Sequence, residues 1–206
     1  MKTEEKKDLF FSLLCGFLSA IFFLFILFNP KIKELEKFLF LKKFSFLSLL
    51  IFPLIFLFGI KIASIFRSFF PLIFQFAKFA EIGVLNTLID IGTLNLLSAA
   101  TGTVGGLKIV PLNAISFLLA ATNSYFFNKI WTFEIGTKVV QREFIVFLIV
   151  SLIGLFINST IVFLGTTFIS YFQISAGALM NLVKIFATLI VMLWNFFGYK
   201  IFVFKK

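Results

Sequence analysis

The chain has 206 residues, 61% of them hydrophobic, with a formal charge of +10 and a mean hydropathy of +1.11. A soluble domain of this length leaves too much of its chain at the surface to hide so much apolar area, so a water-soluble globule is excluded. With no histidine and a single cysteine, the chain also lacks a disulfide framework, the usual zinc or haem ligands and a histidine base.

Six apolar segments follow in order, at roughly 9–29, 44–60, 76–99, 110–130, 144–168 and 177–199. A helix needs roughly 20 apolar residues to cross a bilayer core about 30 Å thick. The first segment is too long for a typical signal-peptide core, and Phe28-Asn29-Pro30 lacks the small residues of a cleavage site, so it is expected to remain as an anchor. Cys15 sits within that run as apolar filler.

The link 30–43 carries Lys31, Lys33, Lys37, Lys42 and Lys43 with Glu34 and Glu36, and reads as a solvated amphipathic connection. The second segment spans only 17 residues with Pro53 at its middle. It either crosses the membrane or re-enters it, and six crossings are preferred because re-entrant backbone must be sheltered by other protein. Pro71 stands where the third helix can begin, and the Gly/Thr-rich stretch Thr101–Gly106 is a turn between helices three and four.

In the last four helices, the segments 61–78, 129–142 and the C-terminus carry three basic residues each. The opposite side has only Lys108, which places the C-terminus in the cytoplasm of a multi-pass cell-membrane protein. The overall positive charge is thereby explained by cytoplasmic loops facing anionic lipid, and no nucleic-acid partner is expected.

The last two-thirds of the chain repeats itself. A shift of 68 residues lays Phe76–Gly83 over Phe144–Ser151 and Asp90 over Asn158, and a shift of 71 lays Tyr125–Phe133 over Phe196–Phe204. Two helices per half give both halves the same orientation, related by an axis along the membrane normal. The expected fold is therefore an all-α integral membrane protein. Residues 1–74 form an N-terminal region of two hydrophobic helices, and residues 75–206 form a four-helix unit of two parallel two-helix repeats.

The opening Phe76, Phe79 and Gly83, the following Asn86-Thr87 and Asp90, and the closing Asn128, Lys129, Trp131, Thr132 and Phe133 resemble GtrA-like proteins. Asn195-Phe196 and Lys200–Phe204 echo them in the second half. The resemblance covers about 75–206. Ser124 departs from the asparagine common in the family, and Ser151 replaces the second glycine. The resemblance implies handling of polyprenyl-phosphate-linked sugars during cell-surface polysaccharide synthesis, by translocation across the cytoplasmic membrane. Some relatives are membrane domains fused to polyprenyl-phosphate glycosyltransferases, which implies a scaffolding alternative with such an enzyme as partner.

Each repeat helix carries a polar or small stripe at helical spacing: Gly83, Asn86, Thr87, Asp90 and Thr93; Asn113, Ser116, Ala120, Asn123 and Ser124; Ser151, Gly154, Asn158 and Gly165; Gly177, Asn181, Lys184, Thr188 and Asn195. In lipid such faces turn toward one another, either as packing or as the lining of a polar cleft. The candidate substrate-binding residues are Asn86, Asp90, Asn123, Asn158, Asn181 and Lys184. Counting 1.5 Å per residue from the external helix ends, Asp90 lies roughly 13 Å deep and Lys184 roughly 10 Å, level enough to pair.

At the cytoplasmic helix ends Lys129, Trp131 and Lys200 are candidates to hold a lipid phosphate, with Arg67 and Arg142 beside them; ordinary interface anchoring is the alternative. The sequence has no nucleophile–base pair and no metal-ligand cluster, so neither an enzyme nor a cofactor is expected. Membrane lipid is an expected partner, and a homo-oligomer is left open.

Overall fold

The computed structural model describes residues 2–38, 42–134, 141–169, 174–198 and 202. These residues form helices: α1 (Lys2–Leu27), α2 (Ser48–Ile65), α3 (Pro71–Thr101), α4 (Ile109–Phe127), α5 (Gln141–Phe168) and α6 (Ala176–Gly198). Short 3₁₀ turns at Lys33–Phe38 and Ser45–Leu47 connect α1 to α2. The first five helices are long and apolar enough to cross a membrane, and Ala176–Val191 within α6 is a shorter apolar helix. The fold is thus that of a six-helix membrane protein, as the apolar segments predict.

Local signals account for the helix ends. Pro71 occupies the first turn of α3, where its missing N–H costs nothing. Gly102, at φ 72°, ends α3 in the left-handed conformation, and its N–H donates to the Ser98 carbonyl. Pro53 does not break α2; it is buried on the face that meets α1 at Gly16. A short apolar segment with a central proline is therefore a continuous helix here, because α1 covers the proline.

Contacts at the two ends establish that α1 and α2 run the full length of the bundle. Near the start of α1, Lys7 donates to the Ile130 carbonyl and Asp8 accepts from the Trp131 indole. Beyond its end, the Lys31 carbonyl accepts from the Gly177 N–H, and Glu34 accepts from Ser175. α2 runs alongside α1: before its start the Phe46 ring meets Phe28, and past its end Arg67 reaches Glu4 and Asp8, so 44–60 belongs to a continuous helix and not to a re-entrant hairpin.

The helices α3 and α4 form one hairpin and α5 and α6 another; α4 lies against α5, and α6 touches α3. The helix pair α1–α2 packs on α3. Gly92 makes that close approach possible, since a Cβ there would collide with the backbone of Phe22. Two apolar clusters fill the interior. One contains Phe56, Ile60, Phe74, Leu85 and Trp131, and the other Leu94, Ile109, Val162, Met180 and Ala187. The outer surface is dominated by large apolar side chains such as Ile65, Phe76 and Phe156, as a lipid-facing surface requires.

Candidate functional site

Between the two apolar clusters, α3, α4, α5 and α6 bring their polar stripes to one place. Lys184 is fully buried, and its ammonium lies 2.7 Å from Asp90 Oδ1. It also donates to Asn113 Oδ1, to Ser116 Oγ at 3.3 Å and to Asn158 Oδ1 at 3.1 Å. Ser116 donates to Asp90 Oδ1 at 2.7 Å, while the Asn113 amide donates to Asn158 Oδ1 at 2.8 Å and to Ser159 Oγ at 3.2 Å. A charge in hydrocarbon needs a counter-ion and hydrogen bonds. Lys184 has both.

The Asp90–Lys184 pairing inferred from depth is present. Under the repeat shifts, Asp90 corresponds to Asn158 and Lys184 to Asn113, so the ion pair between α3 and α6 has a counterpart in the amide pair between α4 and α5. The second pair carries the same contact without the charge. One atom in this assembly is unpartnered: the Nδ2 of Asn158, on a fully buried side chain.

Further polar pairs sit above and below this centre. Toward the end where α1 begins, the Asn123 amide donates to Asn86 Oδ1 at 2.7 Å. Toward the other end, the Asn95 amide donates to Asn181 Oδ1 at 2.6 Å, and Asn29 donates to Asn95 Oδ1 at 2.7 Å. The candidate asparagines therefore form a column of three levels rather than one cluster. On α3 the column runs from residue 86 to residue 95, roughly 14 Å at the rise of an α-helix, and passes about 180° around the helix on the way.

Two members of the column, Asn29 and Asn95, are absent from the sequence-based set. Asn95 lies about 140° around α3 from Asp90, which takes it off the stripe. It meets Asn29, which lies beyond the end of α1, outside the repeat. Glu81, about 180° from Asp90, faces the other way, with Ser12 and Gly59 of the first two helices beside it. Glu81 is therefore a second acidic group inside the bundle, apart from Asp90.

The aromatic-cation end differs from expectation at Trp131. Anchoring at headgroup depth predicts a ring at the interface, yet Trp131 is fully buried. Residues Asn128–Thr132 form a π-turn closed by the Phe133 N–H on the Asn128 carbonyl at 2.8 Å. The wider turn changes the helical register of Trp131. The indole donates to Asp8 Oδ1 at 2.9 Å and stacks on Phe11 with ring centroids 5.6 Å apart. Asn128 and Thr132 brace the turn, Asn128 donating to the Ser124 carbonyl and Thr132 donating to Asn128 Oδ1. Lys129 stays half-exposed over the Tyr125 ring, 5.5 Å from its centroid. Lys200 lies outside the described residues.

Residues 78–204 match the family described as GtrA/DPMS, transmembrane domain. A relative described as the uncharacterized membrane protein YngA, from Bacillus subtilis (strain 168), is 32% identical over 127 residues. The match covers 62% of this chain and 77% of the relative. No solved structure matches.

Proposed function

Because this chain belongs to the GtrA/DPMS transmembrane-domain family, we propose that it handles polyprenyl-phosphate-linked sugars and carries the sugar headgroup across the cytoplasmic membrane. The observation that supports this reading is the polar column built by all four helices of the matched domain. Amide–amide hydrogen bonds are individually modest, and sugar hydroxyls can replace them one at a time. The unpartnered Asn158 amide adds a donor for a sugar oxygen at the centre.

In this mechanism Asn86 and Asn123 receive the sugar. The Asp90–Lys184 pair, with Asn113 and Asn158, forms the middle contact, and Asn181 with Asn95 releases it. The prenyl chain stays in lipid throughout. Lys129, and Lys200 two residues past α6, are the cations proposed to meet the phosphate on the side where the basic residues of the sequence collect, taken as cytoplasmic. Trp131 supports that end from inside through Asp8 instead of contacting lipid. The two halves have diverged at Asp90/Asn158 and Asn113/Lys184, as a single asymmetric substrate demands of a duplicated unit. The protein acts without bond chemistry, as a non-enzymatic component of cell-surface polysaccharide synthesis.

Proteoliposomes loaded with a polyprenyl-phosphate sugar test the proposal. Asp90→Ala, Lys129→Ala and Lys200→Ala, made singly, are expected to slow transfer, Asp90→Ala by about tenfold or more, given what one charged hydrogen bond contributes. Unchanged rates in all three reject the mechanism. A second reading, a membrane scaffold for a polyprenyl-phosphate glycosyltransferase, is favoured by the saturation of Lys184 with oxygen ligands from within the domain, as a purely structural pair requires. Co-purification with such an enzyme, together with no transfer by the isolated protein, selects it.

A further inference from the structure

A second charged assembly lies where the start of α1, the α2–α3 link and the end of α4 meet. Asp8 is buried, and its Oδ1 lies 2.6 Å from the Lys78 ammonium while its Oδ2 lies 3.3 Å from the Arg67 guanidinium. The Phe74 ring is shared by both cations, 5.0 Å from Arg67 and 4.8 Å from Lys78. Arg67 also reaches Glu4 at 2.9 Å, and Lys78 reaches Glu134 at 3.2 Å. Lys7 stands 3.9 Å from Glu134.

A cleft of about 360 Å³ opens beside this assembly, lined in part by Arg67, Lys78, Gln75, Phe133 and Glu134. It lies near the start of α3, whose 31 residues extend about 46 Å and so outreach a bilayer core of about 30 Å. That places the cleft at headgroup depth. Phe69, Phe70 and Phe76, all exposed, flank it in sequence and supply an apolar surround for a lipid tail.

The charges show what the cleft suits. Glu4 is 59% exposed opposite a part-exposed Arg67, so that ion pair is of the weak surface kind, while Glu134 is 45% exposed and reaches in to a buried Lys78. Asp8 is buried and held by Arg67, Lys78 and the Trp131 indole. An incoming anion that displaces Glu134 from the cleft meets Arg67 and Lys78 against the buried Asp8, a net charge of one positive. Glu134 also has φ 50°, a conformation that side-chain-bearing residues seldom adopt, and it holds its carboxylate on Lys78 in the place such an anion would take.

We propose that this cleft is a docking site for the phosphate-ester headgroup of a membrane lipid, separate from the transfer contacts proposed for Lys129 and Lys200, with Arg67 and Lys78 on the phosphate and Glu134 as the anion it displaces. The planar guanidinium offers paired donors to phosphate oxygens, and Lys78 adds a point charge. Gln75, whose amide donates to the Thr132 carbonyl at 3.1 Å, lines the same cleft and is within reach of a group attached to the phosphate. The identity of the lipid rests on the lipid-linked-sugar reading; the phosphate chemistry rests on the charges alone.

Radiolabelled polyprenyl phosphate binding to the full chain in phosphatidylcholine nanodiscs tests the site, with inorganic phosphate and a water-soluble sugar phosphate as competitors. Arg67→Gln is expected to weaken binding about tenfold, the loss of one charged hydrogen bond. Glu134→Gln, which removes the competing carboxylate and leaves Arg67 and Lys78 in place, is expected to tighten it about threefold. Equal affinity in wild type and both variants overturns the proposal, as does inorganic phosphate competing on equal terms with the lipid. Binding lost in Arg67→Gln while wild type moves no lipid-linked sugar keeps the cleft and rejects the translocase reading. Transfer by wild type with identical binding in every variant does the reverse.

Discussion

The ammonium of Lys184 is surrounded by four oxygens drawn from three other helices, and this one residue ties the four-helix domain together. Removing either partner strands a charge in the interior, which costs about 3–5 kcal/mol, whereas replacing both with apolar groups of similar size is often neutral. Lys184→Met alone and Asp90→Leu alone are therefore expected to lower the melting temperature in detergent, and the Asp90→Leu/Lys184→Met double variant to recover most of the loss. Additive losses in the double variant contradict the pair. Asp90 and Lys184 were legible in the sequence because charge inside an apolar run is rare and helical rise fixes depth. Asn29 and Asp8 were not, since each finds its side-chain partners 59 or more positions away, on elements whose neighbours no periodicity reveals.

At the scale of helices, the α1–α2 pair is fastened to the matched domain at both ends and along α3. Glycines permit the packing: Gly92 of α3 admits Phe22 of α1, and within the pair Gly16 of α1 admits Pro53 of α2. Packing through small residues is how helices associate in lipid, where no hydrophobic force drives them together. Gly92→Leu is expected to push α1 off α3. Cys15, fully buried beside that interface and the only cysteine, then reports the separation through faster reaction with a membrane-permeant maleimide. An unchanged labelling rate rejects the tight approach. Helix number, order and approximate limits were legible from hydropathy, Pro71 and Gly102. The docking of α1–α2 on α3 was not, because α3 carries its polar stripe on one side and its α1-facing glycine on another. The burial of Trp131 was also hidden, since it depends on a π-turn that apolar spacing does not mark.

For the whole molecule, the centre holds an ion pair between α3 and α6 beside an amide pair between α4 and α5. The same bundle presents a neutralised ionic cluster at the end where α1 begins and an asparagine cluster where α1 ends, with the column between them. Large apolar side chains dominate the outer surface of the described residues, so the proposed translocation takes a polar headgroup through the interior of the four-helix domain.

Thiol labelling in a Cys15→Ala background tests that claim most directly. Single cysteines at Asn86, Asn181 and the lipid-facing Phe156 are treated with a membrane-impermeant reagent in proteoliposomes, with and without polyprenyl-phosphate sugar. The account predicts that substrate slows labelling at Asn86→Cys and Asn181→Cys, from opposite sides of the membrane, and leaves Phe156→Cys unaffected. Labelling at 86 and 181 that ignores the substrate would contradict it.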